Sequence, residues 1–223
     1  MVLRKNFDYI LLMSKKFEKN TFWHICNKSI ANYGIFKDSY NAKRFEQVLD
    51  YYNTVEFVQN FGKAICSKSL LLQGMMYFSK KRVFKCISYC IMPDHYHLLI
   101  KVSDDSISQY ISKVQNSFTR FFNIKYRRKG PLWQSRFRTI QITTNSQLLH
   151  TSRYIHLNPV TDYLVNKAED WLFSSYSFYI KKLALETKLK EISIKSPILY
   201  QKFIEDQIDY QRKLKYIKKY KLE

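Results

Sequence analysis

In the run Met92-Pro93-Asp94-His95-Tyr96-His97-Leu98-Leu99-Ile100, two histidines stand two residues apart in an otherwise largely apolar stretch. β-prone residues flank it, Cys86 to Ile91 before and Lys101-Val102 after, so a hairpin or a closely related strand pair turns at Pro93-Asp94. Side chains two apart in a strand share a face, which sends His95 and His97 to one side and Tyr96 to the other. Two imidazoles on a stiff backbone are half of a metal site. Taken alone, such a pair is also met as one histidine in a polar turn and one satisfied sheet residue. To do chemistry it needs a third ligand and a nucleophile. Further on, His150, Tyr154 and Asn158 stand four apart, which puts them on one face of a helix and fixes a tyrosine and an amide one turn from each other.

The elements that must carry these residues are legible in outline. Phe22 to Lys28 alternates as a first strand, followed by a polar loop through Asn32 and Gly34. Asp38 or Ser39 can cap a helix with Phe45, Val48, Leu49 and Tyr52 at helical spacing. Between Phe57 and Phe78 the pattern fits either a second helical piece or a loop with a buried side. After Ser103-Asp104-Asp105-Ser106, the stripe Ile107, Tyr110, Ile111, Val114, Phe118, Phe121 and Phe122 predicts a helix that covers the sheet. A basic turn, Lys125-Tyr126-Arg127-Arg128-Lys129-Gly130-Pro131, ends it. Trp133, Gln134, Arg136 and Arg138 follow, and Phe137, Ile140 and Ile142 suggest another strand. Thr144 and Gln147 have capping-box spacing for the helix of Tyr154, which Pro159 is expected to end just after Asn158. From about residue 181 the composition predicts a helical extension, strongly basic from Tyr210 to Lys221.

The composition narrows the class. At 223 residues, 46% hydrophobic and 17% aromatic, the chain is globular, as one domain or one with an appendage. Lys and Arg total 38 against 18 acidic residues, a formal charge of +20. Such a surplus favours a polyanionic partner, above all nucleic acid, although a Lys-, Asn-, Ile- and Tyr-rich usage of the kind an AT-rich genome imposes is also visible. No segment has the apolar length to cross a bilayer and the N-terminus lacks a cleavage site, so a cytoplasmic protein is expected. Cys26, Cys66, Cys86 and Cys90 lack paired spacing and read as reduced core residues.

Four blocks, HICNKS from residue 24, IMPDHYHLLI from 91, GPLWQSRFR from 130 and RYIHLNPV from 153, together resemble the transposase IS200-like family of HUH single-strand nucleases, and within it the REP-associated tyrosine transposases. The resemblance spans roughly residues 20 to 180, in order. It implies an α+β, ferredoxin-like antiparallel sheet with packed helices as residues 1–180, with 181–223 as a basic helical extension outside the resemblance. It also implies His95 and His97 as metal ligands, Tyr154 as the nucleophile and Asn158 as third ligand, where smaller insertion-sequence transposases often carry glutamine. The implied cofactor is a divalent metal, Mg²⁺ or Mn²⁺. The implied partner is single-stranded, hairpin-forming DNA, bound by a monomer or homodimer with no membrane association.

These residue types suit strand transfer. Two neutral imidazoles and a neutral amide leave a divalent cation its full charge beside a phosphate. A tyrosine with an ordinary pKa near 10 needs a base, a metal or local positive charge to attack as phenolate. Lys125, Arg127, Arg128, Lys129, Arg136 and Arg138, with Gln134 alongside, are expected to hold phosphates, and Trp133 either stacks a base or plugs the core. Tyr154 as an ordinary buried helix tyrosine, and His150 as a base or as packing, are the competing readings of single residues. For the whole chain the competitors are a nucleic-acid-binding protein that has lost catalysis and, more distantly, a His-metal hydrolase. The set His95, His97, Tyr154 and Asn158 opposes the first, and the lack of an acidic ligand near the motifs opposes the second.

Overall fold

The computed structural model describes residues 16–54, 59–66, 81–181 and 190–213. Strand β1 (Phe22–Lys28) leads through a short loop to helix α1 (Ser39–Tyr52), whose N-cap Asp38 accepts from the Tyr40 amide. A short α2 (Phe61–Cys66) precedes the hairpin of β2 (Phe84–Ile91) and β3 (His95–Val102). Helix α3 (Ile107–Lys125), strand β4 (Arg138–Ile142) and helix α4 (Asn145–Thr161) follow. Two further helices, α5 (Tyr176–Ile180) and α6 (Pro197–Glu205), follow, and residues 208–213 are helical again. The expected apolar run at Leu70 to Leu72, the N-terminal residues 1–15 and most of the basic stretch from Tyr210 to Lys221 lie outside the described residues.

The four strands form one antiparallel sheet in the order β2-β3-β1-β4, so the two strands that matter most, β1 and β3, are central neighbours. Strand alternation sorts the side chains into two layers. Trp23, Ile25, Tyr96, Leu98 and Ile100 enter the core shared with Phe45 and Val48 of α1 and with the predicted stripe of α3. Of that stripe Phe121 is only partly buried, and it lies under the Arg44 guanidinium at 5.1 Å. On the other side Ile87, Cys90 and Leu99 pack with Leu148 and Ile155 of α4, Tyr179 of α5 and Tyr200 of α6. The α+β sheet with packed helices is therefore as expected, and Tyr200, Phe203 and Arg212 reach the helix of Tyr154.

The start of α4 follows its predicted chemistry. Thr144 Oγ1 accepts from the Gln147 amide at 3.1 Å, while Gln147 Oε1 accepts from the Thr143 amide at 2.9 Å, one residue before the cap. Its end does not. Pro159 sits inside the helix, which runs on to Thr161. Proline removes one donor, but the Asp162 amide still reaches the Asn158 carbonyl at 3.0 Å and Leu164 reaches Pro159 at 2.9 Å. Burial of Pro159, Val160 and Thr161 holds that last turn against the local preference of the residue before a proline.

Candidate active site and metal centre

The candidate site forms on the α4 face of the sheet. His95 and His97 share that face as expected, with ring centroids 5.0 Å apart and planes perpendicular. Helix α4 brings Tyr154 over His97 and His24, its ring 5.4 Å from that of His97, edge to face, and 6.2 Å from that of His24. Tyr154 is 42% exposed, so it is a surface residue at the site and not a core tyrosine. Burial of its ring nevertheless pushes its pKa up. Asn158 is buried one turn on, and its Nδ2 donates to the Tyr154 carbonyl at 3.1 Å, leaving Oδ1 as the ligand-type atom of that side chain.

Each histidine of the pair has its Nδ1 engaged. His95 Nδ1 lies 2.5 Å from Asp94 Oδ1, and Asp94 also pairs with Lys28 at 3.3 Å, the residue directly opposite His95 in the β1–β3 ladder. Burial works against the Asp94 carboxylate, yet the hydrogen bond from His95 and the Lys28 charge outweigh it and hold its pKa below the usual range. His97 Nδ1 lies 2.9 Å from His24 Nε2, and the two rings stack 5.0 Å apart at 25°. Burial lowers the pKa of His24 to about 4, so this ring is neutral at physiological pH.

His24 was not among the expected ligands, nor was Cys26. Both lie on β1, two apart and hence on one face, and Cys26 is directly across from His97. A ring nitrogen of His24, Cys26 Sγ and a ring nitrogen of His97 all fall within 4.8 Å of one another, a grouping that could hold a metal ion. Their two-residue spacing was visible in the chain, but the register that sets them beside β3 was not. Cys26, Cys86 and Cys90 are free thiols, but only Cys90 of these is the buried core residue expected, Cys26 and Cys86 being partly exposed.

Two other histidines are accounted for elsewhere. His150 is exposed, bonds the Arg153 guanidinium at 2.7 Å and lies with its ring 6.0 Å from Phe203 of α6. His156 is fully buried between Tyr200 Oη at 2.7 Å and Ser175 Oγ at 2.8 Å, on the helix face away from Tyr154.

The basic segment divides into two groups. Lys125 is tied to Asp38 at 2.5 Å and Asn41 at 2.8 Å, and Arg128 to Asn123 and to the Pro131 carbonyl, both at 2.9 Å, so these two cations also brace the turn. Arg127, Lys129, Gln134, Arg136 and Arg138 are exposed. The segment is stitched to the histidine end of β1, because the Gln134 amide donates to the Lys28 carbonyl at 2.9 Å, and Arg138 faces Cys26 across the β1–β4 ladder. Trp133 behaves as a core plug. Its ring is 5.6 Å from Tyr96 and 5.9 Å from Phe45, and its Nε1 donates to Thr119 Oγ1 at 3.1 Å, which takes it out of the role of an open stacking platform.

Among the described residues no helix is long and apolar enough to cross a membrane. The family model described as "Transposase IS200 like" matches residues 65–158. A protein of Haemophilus influenzae named as a REP-associated tyrosine transposase is 34% identical over 110 residues, which are 44% of this chain and 62% of that relative. The chain thus matches less than two thirds of that relative's length. The solved structure of a REP-associated tyrosine transposase bound to a REP hairpin superposes with a TM-score of 0.55 at 17% identity, covering 76% of this chain and 85% of the other, a likeness of fold.

Proposed function

From the premise that this chain carries an IS200-like transposase segment over residues 65–158, we propose that it nicks and rejoins single-stranded DNA by metal-dependent transesterification through Tyr154. The observation that carries this reading is the placement of an exposed tyrosine edge-on to His97, whose ring lies 5.0 Å from that of His95, with both histidine Nδ1 atoms already engaged.

The donor set fits a divalent cation. His95 Nδ1 donates to the Asp94 carboxylate, and in this reading the 2.9 Å contact of His97 Nδ1 with the neutral His24 has His97 as donor, which makes Nε2 the lone-pair atom of both rings. Asn158 Oδ1 is the third ligand in this reading. Mg²⁺ or Mn²⁺ bound there would supply Lewis-acid polarisation of the scissile phosphate.

The chain's own residues do the rest. Tyr154 Oη attacks the phosphorus in line with the departing 3′ oxygen, leaving a 5′ phosphotyrosine and a free 3′ hydroxyl. The phenol must lose its proton against the burial that raises its pKa, and that proton ends on the departing 3′ oxygen. Reversal by the 3′ hydroxyl of another strand rejoins ends, with no ATP needed. The exposed Arg127, Lys129, Arg136 and Arg138, with Gln134, are assigned to the phosphates of a hairpin-forming strand entering at the histidine end of β1.

The test is covalent capture. Wild-type protein incubated with single-stranded hairpin DNA and Mn²⁺ should give an adduct stable to denaturing electrophoresis, abolished by chelator, by His95→Ala and by Tyr154→Phe. Tyr154→Phe should bind DNA normally. An adduct of wild-type yield in Tyr154→Phe would assign the nucleophile elsewhere.

A further inference from the structure

We propose that His24, Cys26 and His97 form a second metal site, selective for a thiophilic ion such as Zn²⁺, whose occupation silences the neighbouring His95–His97 cation site. The three ligand atoms come from two adjacent central strands, which fixes their backbones. His24 and His97 are buried, and the three atoms already lie within 4.8 Å of one another, the imidazole pair at 2.9 Å. Tetrahedral zinc with bonds of about 2.0 to 2.3 Å needs ligands about 3.3 to 3.6 Å apart. Opening the imidazole pair and closing the thiol by side-chain rotation provides that, with water as the fourth ligand.

Donor softness separates the two sites. A thiolate and two imidazoles select Zn²⁺ or Co²⁺ strongly over Mg²⁺ or Mn²⁺, whereas a site with an amide oxygen in place of the thiolate has a weaker preference for the soft ions. The sites share His97, and a neutral imidazole has one lone pair to give. When the soft ion takes His97 Nδ1, the proton of that nitrogen moves to Nε2, and Cys26 releases its thiol proton to solvent. Nothing is oxidised or reduced. With a proton on Nε2, His97 can no longer serve the catalytic cation. The soft site itself does not depend on the strand-transfer reading, while the mutual exclusion does.

Co²⁺ titration of the full chain, followed by absorption, tests the site without any activity. A thiolate-to-cobalt charge-transfer band should saturate at one ion per chain, persist in His95→Ala and vanish in Cys26→Ser, which is nearly isosteric and should keep its Tm. His24→Gln, which keeps a polar side chain but loses the imidazole, should weaken the band. No band in the wild type, or a band that survives Cys26→Ser, would overturn the site. Mn²⁺ electron paramagnetic resonance tests the exclusion: Zn²⁺ should release bound Mn²⁺ from the wild type at a clearly lower concentration than from Cys26→Ser, where only direct competition at the catalytic site remains; equal concentrations would overturn it. Simultaneous binding of both ions would overturn it. Failure of Mn²⁺ to bind at all would overturn the catalytic-cation reading and the exclusion together, with the cobalt band still deciding the soft site.

Discussion

His24 Nε2 sits 2.9 Å from His97 Nδ1, joining the first strand of the sheet to the histidine pair of the third through two buried rings. Around them stand Cys26, Arg138 and Tyr154, with no carboxylate among these to favour an imidazolium. An unfolded chain protonates His24 near 6.5, the folded one only at about 4. Between these values the unfolded state holds more protons, so the stability contribution is complete above 6.5 and is lost as pH falls through the folded value. The loss is about 3 kcal/mol. Metal-free protein should therefore show a falling Tm over this window, and His24→Gln a shallower fall. Equal slopes in the two proteins would remove His24 as the titrating group.

Asp94 holds His95 as His24 holds His97, and the two can be weakened independently. Replacing the outer partner of a ligating histidine costs about 10- to 100-fold in metal affinity. Asp94→Asn keeps the shape of the turn and an oxygen for His95 but removes the charge, and it also breaks the ion pair with Lys28. Mn²⁺ affinity should fall by about 10-fold, at the mild end of that range, while DNA binding in chelator stays unchanged. An unchanged Mn²⁺ affinity would make Asp94 a turn residue only.

What could be read from the chain was what is local. His95 with His97, and Tyr154 with Asn158, are spaced by the repeats of single elements, and α3 announced its buried stripe in the same way. His24 and Cys26 carry the same two-residue spacing, yet their membership in the site depends on β1 pairing with β3 in a register that places Cys26 opposite His97. Asp94 reads as a turn former until the distance to His95 Nδ1 is known. Pro159 shows tertiary burial overriding a local stop signal, and Trp133 was decided by Phe45 and Tyr96, residues far from it in the chain.

The basic segment gives a contrast between two kinds of residue. Arg136→Ala and Arg138→Ala should each flatten the dependence of log K on log salt by about 0.7 on single-stranded DNA, if each meets one phosphate. Tm should not move. Trp133→Ala should do the reverse, costing about 3 kcal/mol of stability as a packed aromatic is lost, with the salt slope intact. Lys125→Ala should show both effects, since its amine also ties Asp38 and Asn41. A Trp133→Ala protein of wild-type stability that has lost DNA affinity would restore the ring as a stacking platform.

The C-terminal helix is read most directly at Tyr200, whose hydroxyl meets His156 Nδ1 at 2.7 Å and Ser152 Oγ at 3.2 Å in a fully buried position behind the helix of Tyr154. Tyr200→Phe keeps the ring stacked on Tyr179, 4.7 Å away, and removes only that hydroxyl. The lost bonds among buried polar groups should cost about 1 to 3 kcal/mol. Tyr200→Ala adds a cavity and should cost about 3 to 5 kcal/mol. Because the Tyr200 side of α4 is opposite the site, Tyr200→Phe should form the DNA adduct at the wild-type rate well below its Tm, where the helix is intact. Thermal unfolding and adduct kinetics on the same preparation separate the two effects. A Tyr200→Phe protein with wild-type Tm but slowed adduct formation would show that α6 acts on the position of Tyr154, and not merely as a buttress.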